Sequence, residues 1–169
     1  MKTAILKISA FLLLFSLMGA GCEKEEEIGA FSEKEFLKFS DFGCENSAWN
    51  FKPGYYNNYY TINSTQELSN YINSDCIPQI DFNEYFVIIG SKSFTTGVSL
   101  FDEKVEENNI EIVYTITFLT DDTFVASGAK YHAVIKKPSG KKEIKVVEIV
   151  KDHILKIKTK NNETHYFKN

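Results

Sequence analysis

The side chains that most often carry catalysis are scattered through this sequence and form no recognised motif. The histidines stand alone in sequence, and we expect each to be a surface residue of a strand: His132, His153 and His165. The chain has no glycine-rich phosphate loop, no nucleophile elbow and neither a His-Glu-x-x-His nor a Cys-x-x-Cys motif. We therefore predict that the protein is not an enzyme.

Two acidic pairs, Asp102-Glu103 and Asp121-Asp122, offer the oxygen ligands that Ca²⁺ prefers. Neither pair stands in a sequence with the spacing of an ordered calcium-binding loop, and solvated acids in loops are much commoner. The sequence therefore predicts no metal and no cofactor.

Cys44 and Cys76 stand 32 positions apart. Outside the cytoplasm such a pair can form a disulfide, which would stabilise the fold by about 3–4 kcal/mol. The alternative is two unpaired buried thiols, and both remain open because sequence does not give the geometry of the pair.

The third cysteine, Cys22, ends a segment that has the organisation of a secretory signal. Two lysines precede an apolar stretch, Ile8 to Met18, which is too short to cross a membrane. Residues 17–22, Leu-Met-Gly-Ala-Gly-Cys, resemble a bacterial lipobox, although Gly19 replaces the usual leucine. The resemblance implies that residues 1–21 are removed and that a diacylglyceryl group is attached to Cys22. An ordinary cleaved signal is the alternative.

The residues after Cys22 are typical of a tether. Glu23 to Glu27 is a solvated run of charges, and we assign residues 22–30 to an acidic linker. A mature lipoprotein carries two or three acyl chains, which is enough for stable anchoring. The expected location is the bacterial cell envelope, at the outer membrane, facing either the periplasm or the cell surface.

The composition excludes a nucleic-acid reader. All 19 basic residues among the 169 are lysines, and the net charge is −4. Arginine is the residue that most often recognises phosphates and base edges, and it is absent. Charge is unevenly distributed: residues 22–129 carry −13 and residues 130–169 carry +7. The basic quarter could be a docking face for a partner, or its lysines could pair with acids across neighbouring strands.

Hydrophobic periodicity predicts an α+β, β-rich domain over residues 31–169, with about seven or eight strands. Ile110 to Phe118 alternates apolar and polar residues, as an amphipathic strand does, and Tyr85 to Ile89 has the apolar run of a central strand. We expect an antiparallel sheet folded as a sandwich or a partly open barrel. Segments 43–54 and 91–97 are expected to be loops, and 137–141 the turn of a hairpin.

One short helix is predicted near residues 64–72. Ser64 and Glu67 form a capping box, and Leu68, Tyr71 and Ile72 lie on one apolar face.

Two segments are candidates for a binding surface. The first is a tyrosine-rich run that contains Tyr55, Tyr56, Tyr59 and Tyr60, and the second is the loop Thr95, Thr96 and Gly97. Tyrosine is also simply a good strand residue, and Gly97 could serve backbone geometry alone.

Four segments follow one another in the order seen in the C-terminal domain of the protease complex subunit PrcB family, which the chain resembles over about residues 60–138. They are Thr61–Leu68, Ile80–Ile88, Thr95–Leu100 and Lys130–Pro138. The family's second glycine and its tyrosine are replaced by Val98 and Leu100. The resemblance implies a non-catalytic lipoprotein that binds an envelope protease or another protein partner.

The sequence therefore favours a lipid-anchored envelope protein whose domain binds another protein. The alternative is a small-ligand or glycan-binding surface lipoprotein that uses the tyrosines and Trp49.

Overall fold

The computed structural model describes residues 28–45 and 48–152, together with the backbone of two strands further on. A 3₁₀ helix spans Phe39–Phe42. The strands and the α-helix of the described part are, in chain order, β1 (Ser32–Lys34), β2 (Phe36–Leu37), β3 (Trp49–Phe51), β4 (Tyr59–Ile62), α1 (Thr65–Tyr71), β5 (Ile72–Ser74), β6 (Tyr85–Phe94), β7 (Val98–Glu107), β8 (Glu111–Thr120), β9 (Ser127–Lys136), β10 (Glu143–Asp152), β11 (Leu155–Lys158) and β12 (Thr164–Phe167).

Two four-stranded sheets pack face to face, so the predicted sandwich is confirmed. The first sheet has the order β1-β7-β8-β10 and the second β2-β9-β6-β4. Side chains that alternate along β8 fill the space between the sheets: Ile112, Tyr114, Ile116 and Phe118 are fully buried. This is the period of two that the sequence shows in this strand.

The second sheet is covered on both faces, which explains the apolar run of β6. Phe86 and Ile88 face the first sheet, whereas Val87 and Ile89 face a third layer. That layer consists of the 3₁₀ helix, α1 and the short pair β3-β5. A strand buried on both faces needs apolar residues at consecutive positions.

The helix is capped as predicted and ends one residue early. The Ser64 hydroxyl accepts a hydrogen bond from the Glu67 amide at 3.1 Å, and the Glu67 carboxylate accepts one from the Asn63 amide at 2.8 Å. Leu68 is fully buried against the second sheet. Ile72 begins β5 instead of closing the helix.

The prediction that segment 137–141 forms a hairpin turn is wrong. This segment carries the chain from β9 in the second sheet to β10 in the first, where β10 pairs with β8 in parallel. Crossing lets β10 place Ile144 and Val146 over the space between the sheets, beside Ile112 and Tyr114. Both side chains are partly buried against the core there, which favours this pairing over the hairpin that the turn-forming residues predict.

Two segments that were expected to be loops contain strand residues. Segment 43–54 contains β3, whose buried Trp49 and Phe51 alternate with exposed Asn50. Segment 91–97 contains the last four residues of β6, which pair with β9 as far as Phe94. Stretches of three or four residues are too short to show a period, so the sequence does not reveal either one as strand.

Gly90 lies in the middle of β6, directly opposite Tyr131 of β9. The Tyr131 ring occupies the place where a Cβ at position 90 would stand. Position 90 therefore admits only glycine while the Tyr131 ring keeps its place.

We expect Gly90→Ala to lower the free energy of unfolding by about 1–3 kcal/mol, because the ring or the strand must shift. Gly140→Ala is the matched control, since a Cβ there meets nothing within 4 Å. It should change stability by less than about 0.5 kcal/mol. Urea unfolding of the two variants measures both effects, and equal stabilities would contradict this account of Gly90.

Candidate functional site

Two connections between the sheets meet at one end of the sandwich, which we call the distal end. Residues 95–97 lead from β6 to β7, and residues 121–126 lead from β8 to β9. The Gly97 amide donates to the Thr123 carbonyl at 3.1 Å, and the Asp121 amide donates to the Gly97 carbonyl at 3.0 Å. The Ser127 hydroxyl donates to the Thr96 carbonyl at 2.5 Å. The predicted loop Thr95, Thr96 and Gly97 is therefore bonded to the second connection.

The backbone of Gly97 is not left-handed, so its φ does not require glycine. Glycine is needed because the second connection approaches this residue closely. A Cβ at position 97 would collide with the Asp121 carboxylate and the Thr123 hydroxyl. The same carboxylate accepts a hydrogen bond from the Thr123 amide at 2.9 Å. These contacts fix the base of the second connection against the first.

Several exposed apolar side chains lie at this end. Phe124 is 97% exposed and Val125 63%. Leu100 and Val150 flank Phe118 in one row of the first sheet and face inward, yet they remain exposed. Phe101 is exposed at the β-bulge of β7. We call these five residues the distal patch: Leu100, Phe101, Phe124, Val125 and Val150.

The distal patch also borders a groove of about 290 Å³, which is lined by Val98, Ser99, Leu119, Thr120 and Asp121. Sequence reasoning found the Thr95–Gly97 loop but missed the patch. The available signal was the pair Phe124-Val125 inside an otherwise polar connection.

The described chain begins at the opposite, proximal end. The Gly29 amide donates to the Asn109 side chain at 2.7 Å, in the turn between β7 and β8. These strands are ten residues long, so about 30 Å separates this turn from the distal end. The segment 22–30 that was predicted to be a tether therefore joins the domain far from the distal patch.

The four predicted tyrosines divide into two pairs with different surroundings. Tyr55 and Tyr60 are half-buried and pack with Tyr71 at the rim of the core, with ring centroids 4.3–5.7 Å apart. Tyr56 and Tyr59 are about half exposed. Trp49 is buried between Phe39, Phe51 and His132. Among the described hydrogen bonds and ring contacts, none joins a tyrosine of the run to Thr95, Thr96 or Gly97.

Lysines of the basic C-terminal quarter pair with acids of earlier strands. Lys142 contacts Glu107 at 2.8 Å, and Lys145 is paired with Glu111. Glu148 of β10 receives Lys92 at 2.8 Å. Among the described residues, two lysines of the basic quarter therefore pair with acids of earlier strands, as the second interpretation of the uneven charge expects.

His132 is partly buried and packs against Phe39 and Trp49, so it is not the simple surface residue of a strand that the sequence predicts. Its Nε2 accepts a hydrogen bond from the Phe39 amide at 3.0 Å, and its ring lies 4.1 Å from that of Phe39. Burial, and then the charge of Lys38, lower the pKa of His132 to about 3. The side chains of His153 and His165 lie outside the described residues. Within the described residues no group of three potential metal ligands occurs.

The three cysteines are the remaining predicted positions: Cys44 and Cys76 for a disulfide, and Cys22 for lipidation. Cys44 and Cys76 are joined in the structure, with their Cα atoms 5.7 Å apart, and they tie the 3₁₀ helix to the segment after β5. Cys22 and residues 1–21 lie outside the described residues. None of the helices in the described part is long and apolar enough to cross a membrane.

Comparison of the chain with protein-family models, curated proteins and solved structures finds no match. The resemblance to the PrcB family and the lipobox therefore stay predictions.

Stability should fall as the pH is lowered from about 6.5 to about 3. In this range the unfolded chain takes up a proton on His132 that the folded protein does not, and each pH unit costs about 1.4 kcal/mol. His132→Gln keeps an acceptor for the Phe39 amide but does not titrate, so its stability should depend less on pH. Urea unfolding between pH 7 and 4 compares the two slopes, and equal slopes would overturn the assignment.

Proposed function

We propose that this protein is a membrane-anchored bacterial envelope lipoprotein whose β-sandwich binds a protein partner and performs no catalysis. The observation that carries the proposal is the position of the distal patch. Exposed apolar side chains gather at the end of the sandwich that lies about 30 Å from the tether.

Burying an exposed phenylalanine against a partner lowers the free energy, because its apolar surface is removed from water. Covering a side chain such as Phe124 contributes about 1.5–3 kcal/mol, and binding energy usually concentrates in a few residues of this kind. The hydrogen bonds at Gly97 and Asp121 hold the base of the connection in place before a partner arrives. Less conformational entropy is then lost on binding.

The anchor is the acylated Cys22 that the lipobox-like sequence implies. Residues 22–30 would then connect the outer membrane to the proximal end of the sandwich. In this arrangement the distal patch faces away from the lipid surface and towards other envelope proteins. The resemblance to the PrcB family makes an envelope protease the partner class to examine first.

The anchor is tested by labelling cells with a palmitate analogue. Wild-type protein should incorporate the label and Cys22→Ala should not, because the thiol is the acceptor. Protease treatment of intact cells then distinguishes a surface location, where the domain is digested, from a periplasmic one. An unlabelled wild-type protein would contradict anchoring without affecting the partner proposal.

Partner binding is tested with a photo-crosslinking residue at position 124 in cells. We expect one discrete adduct, and we expect Phe101→Ser to reduce it by about tenfold, because the lost apolar burial is worth about 1.5 kcal/mol. A crosslinker at Ile77 is the matched control, since this residue is 38% exposed and is not part of the distal patch.

An adduct that forms equally well with Phe101→Ser, or equally from position 77, would contradict a specific patch. An adduct with twice the mass of the chain would show that the patch binds a second copy.

A further inference from the structure

The two lateral sides of the sandwich, where the edge strands of the two sheets meet, differ from one another. On one side the chain itself crosses from the first sheet to the second, since β1 and β2 are separated by Glu35 alone. Lys38 then reaches Glu103 at 2.7 Å on that side. On the other side, between the edge strands β4 and β10, no described segment crosses.

A cleft of about 400 Å³ lies on this unsealed side. We call it the β4–β10 cleft, and it is lined by Asn57, Asn58, Tyr59, Lys92, Val146 and Glu148. Its walls come from both sheets and from the turn that precedes β4. Neither the distal patch nor the predicted Thr95–Gly97 loop contributes to it.

Strand register places an aromatic ring at the mouth of this cleft. Tyr59 lies opposite Gly90, which lies opposite Tyr131, so the three residues occupy one face of the second sheet. Because Gly90 has no side chain, the buried Tyr131 ring lies over it, and Tyr59 stands at the edge, 47% exposed. An exposed ring above a polar floor is the usual platform for stacking on the apolar face of a ring-shaped ligand.

The polar groups of the cleft are ordered and electrically balanced. Glu148 accepts a hydrogen bond from the Tyr131 hydroxyl at 2.8 Å and one from Lys92 at 2.8 Å. Burial, and then the hydrogen bond to Glu148, raise the pKa of Tyr131, so its phenol stays protonated as a donor. The carboxylate and the ammonium offset one another, so the floor favours neither an anion nor a cation.

The turn Asn57-Asn58, which forms one wall of the cleft, is held by hydrogen bonds from β6. Asn57 adopts a left-handed backbone with φ 61°, and its side-chain oxygen accepts from the Ser93 amide at 2.6 Å. The Asn58 carbonyl accepts from the Ser91 amide at 3.1 Å. Within the described residues the Asn58 side-chain amide has no hydrogen bond, so it can both donate to and accept from a ligand.

We propose that the β4–β10 cleft binds a neutral saccharide, with Tyr59 stacked on the sugar ring and Asn58, Lys92 and Glu148 bonded to its hydroxyl groups. A sugar ring combines an apolar face with several hydroxyl groups that donate and accept. This matches one exposed aromatic ring beside a balanced set of donors and acceptors. The site is independent of the distal patch, so either proposal can fail without the other.

The test uses the mature lipoprotein in a detergent that has no sugar head group. Saturation-transfer difference NMR is recorded with the methyl glycosides of glucose, galactose and N-acetylglucosamine as probes. At least one glycoside should receive saturation, and its ring protons should receive more than its methyl group. Tyr59→Ala should abolish the signal. Tyr56→Ala, which removes a tyrosine of similar exposure outside the cleft, should retain it.

Asn58→Ala provides a second variant that removes no hydrogen bond of the described fold. It should weaken binding by up to about tenfold, as expected for one lost hydrogen bond to a ligand. The proposal is overturned if no glycoside receives saturation, if Tyr59→Ala and Tyr56→Ala behave alike, or if glycerol receives as much saturation as the glycosides.

Discussion

Two tyrosine hydroxyl groups lie buried between the sheets, and the need to give each of them a hydrogen-bond acceptor determines which polar residues surround the core. Tyr114 and Tyr131 are fully buried, and a phenol without a partner in such a place would cost about 1–3 kcal/mol. Each hydroxyl instead donates to a glutamate, Glu103 or Glu148. These two glutamates flank Ile116 in one row of the first sheet, so the arrangement is nearly symmetric about the centre of the core.

Each of these glutamates is paired with a lysine, one that follows β2 and one in β6. Lys38 approaches Glu103 next to β2, and Lys92 of β6 approaches Glu148. The two ion pairs therefore link the two halves of the sandwich, one on each of its two lateral sides. Removing one member would leave a partly buried charge alone, which is more costly than never having the pair.

The sequence predicted the elements whose pattern is long or whose signal is local. The alternation over β8, the apolar run of β6 and the Ser64 cap are of this kind, and the structure contains all three. Strand pairings that depend on residues far apart in the sequence were not predictable. The turn-forming residues at 137–141 indicate a hairpin, whereas the chain crosses to the first sheet, where β10 pairs with β8 in parallel. Likewise the sequence does not show that Leu100 and Val150, which flank the buried Phe118, remain exposed.

The order in which the chain crosses between the two sheets determines which surfaces of the sandwich stay uncovered. The crossing before β2 seals one side, the crossing after β9 lies at the proximal end, and the third layer covers the back of the second sheet. In the described part this leaves the distal end, the side between β4 and β10, and the outer face of the first sheet. The distal end carries the exposed apolar side chains of the distal patch beside its polar connections. The open side is polar because Glu148 accepts a hydrogen bond from the Tyr131 hydroxyl there and Lys92 pairs with Glu148. The fold therefore places the distal patch and the β4–β10 cleft on different sides of the domain, so the protein partner and the saccharide that we propose would not compete for one surface.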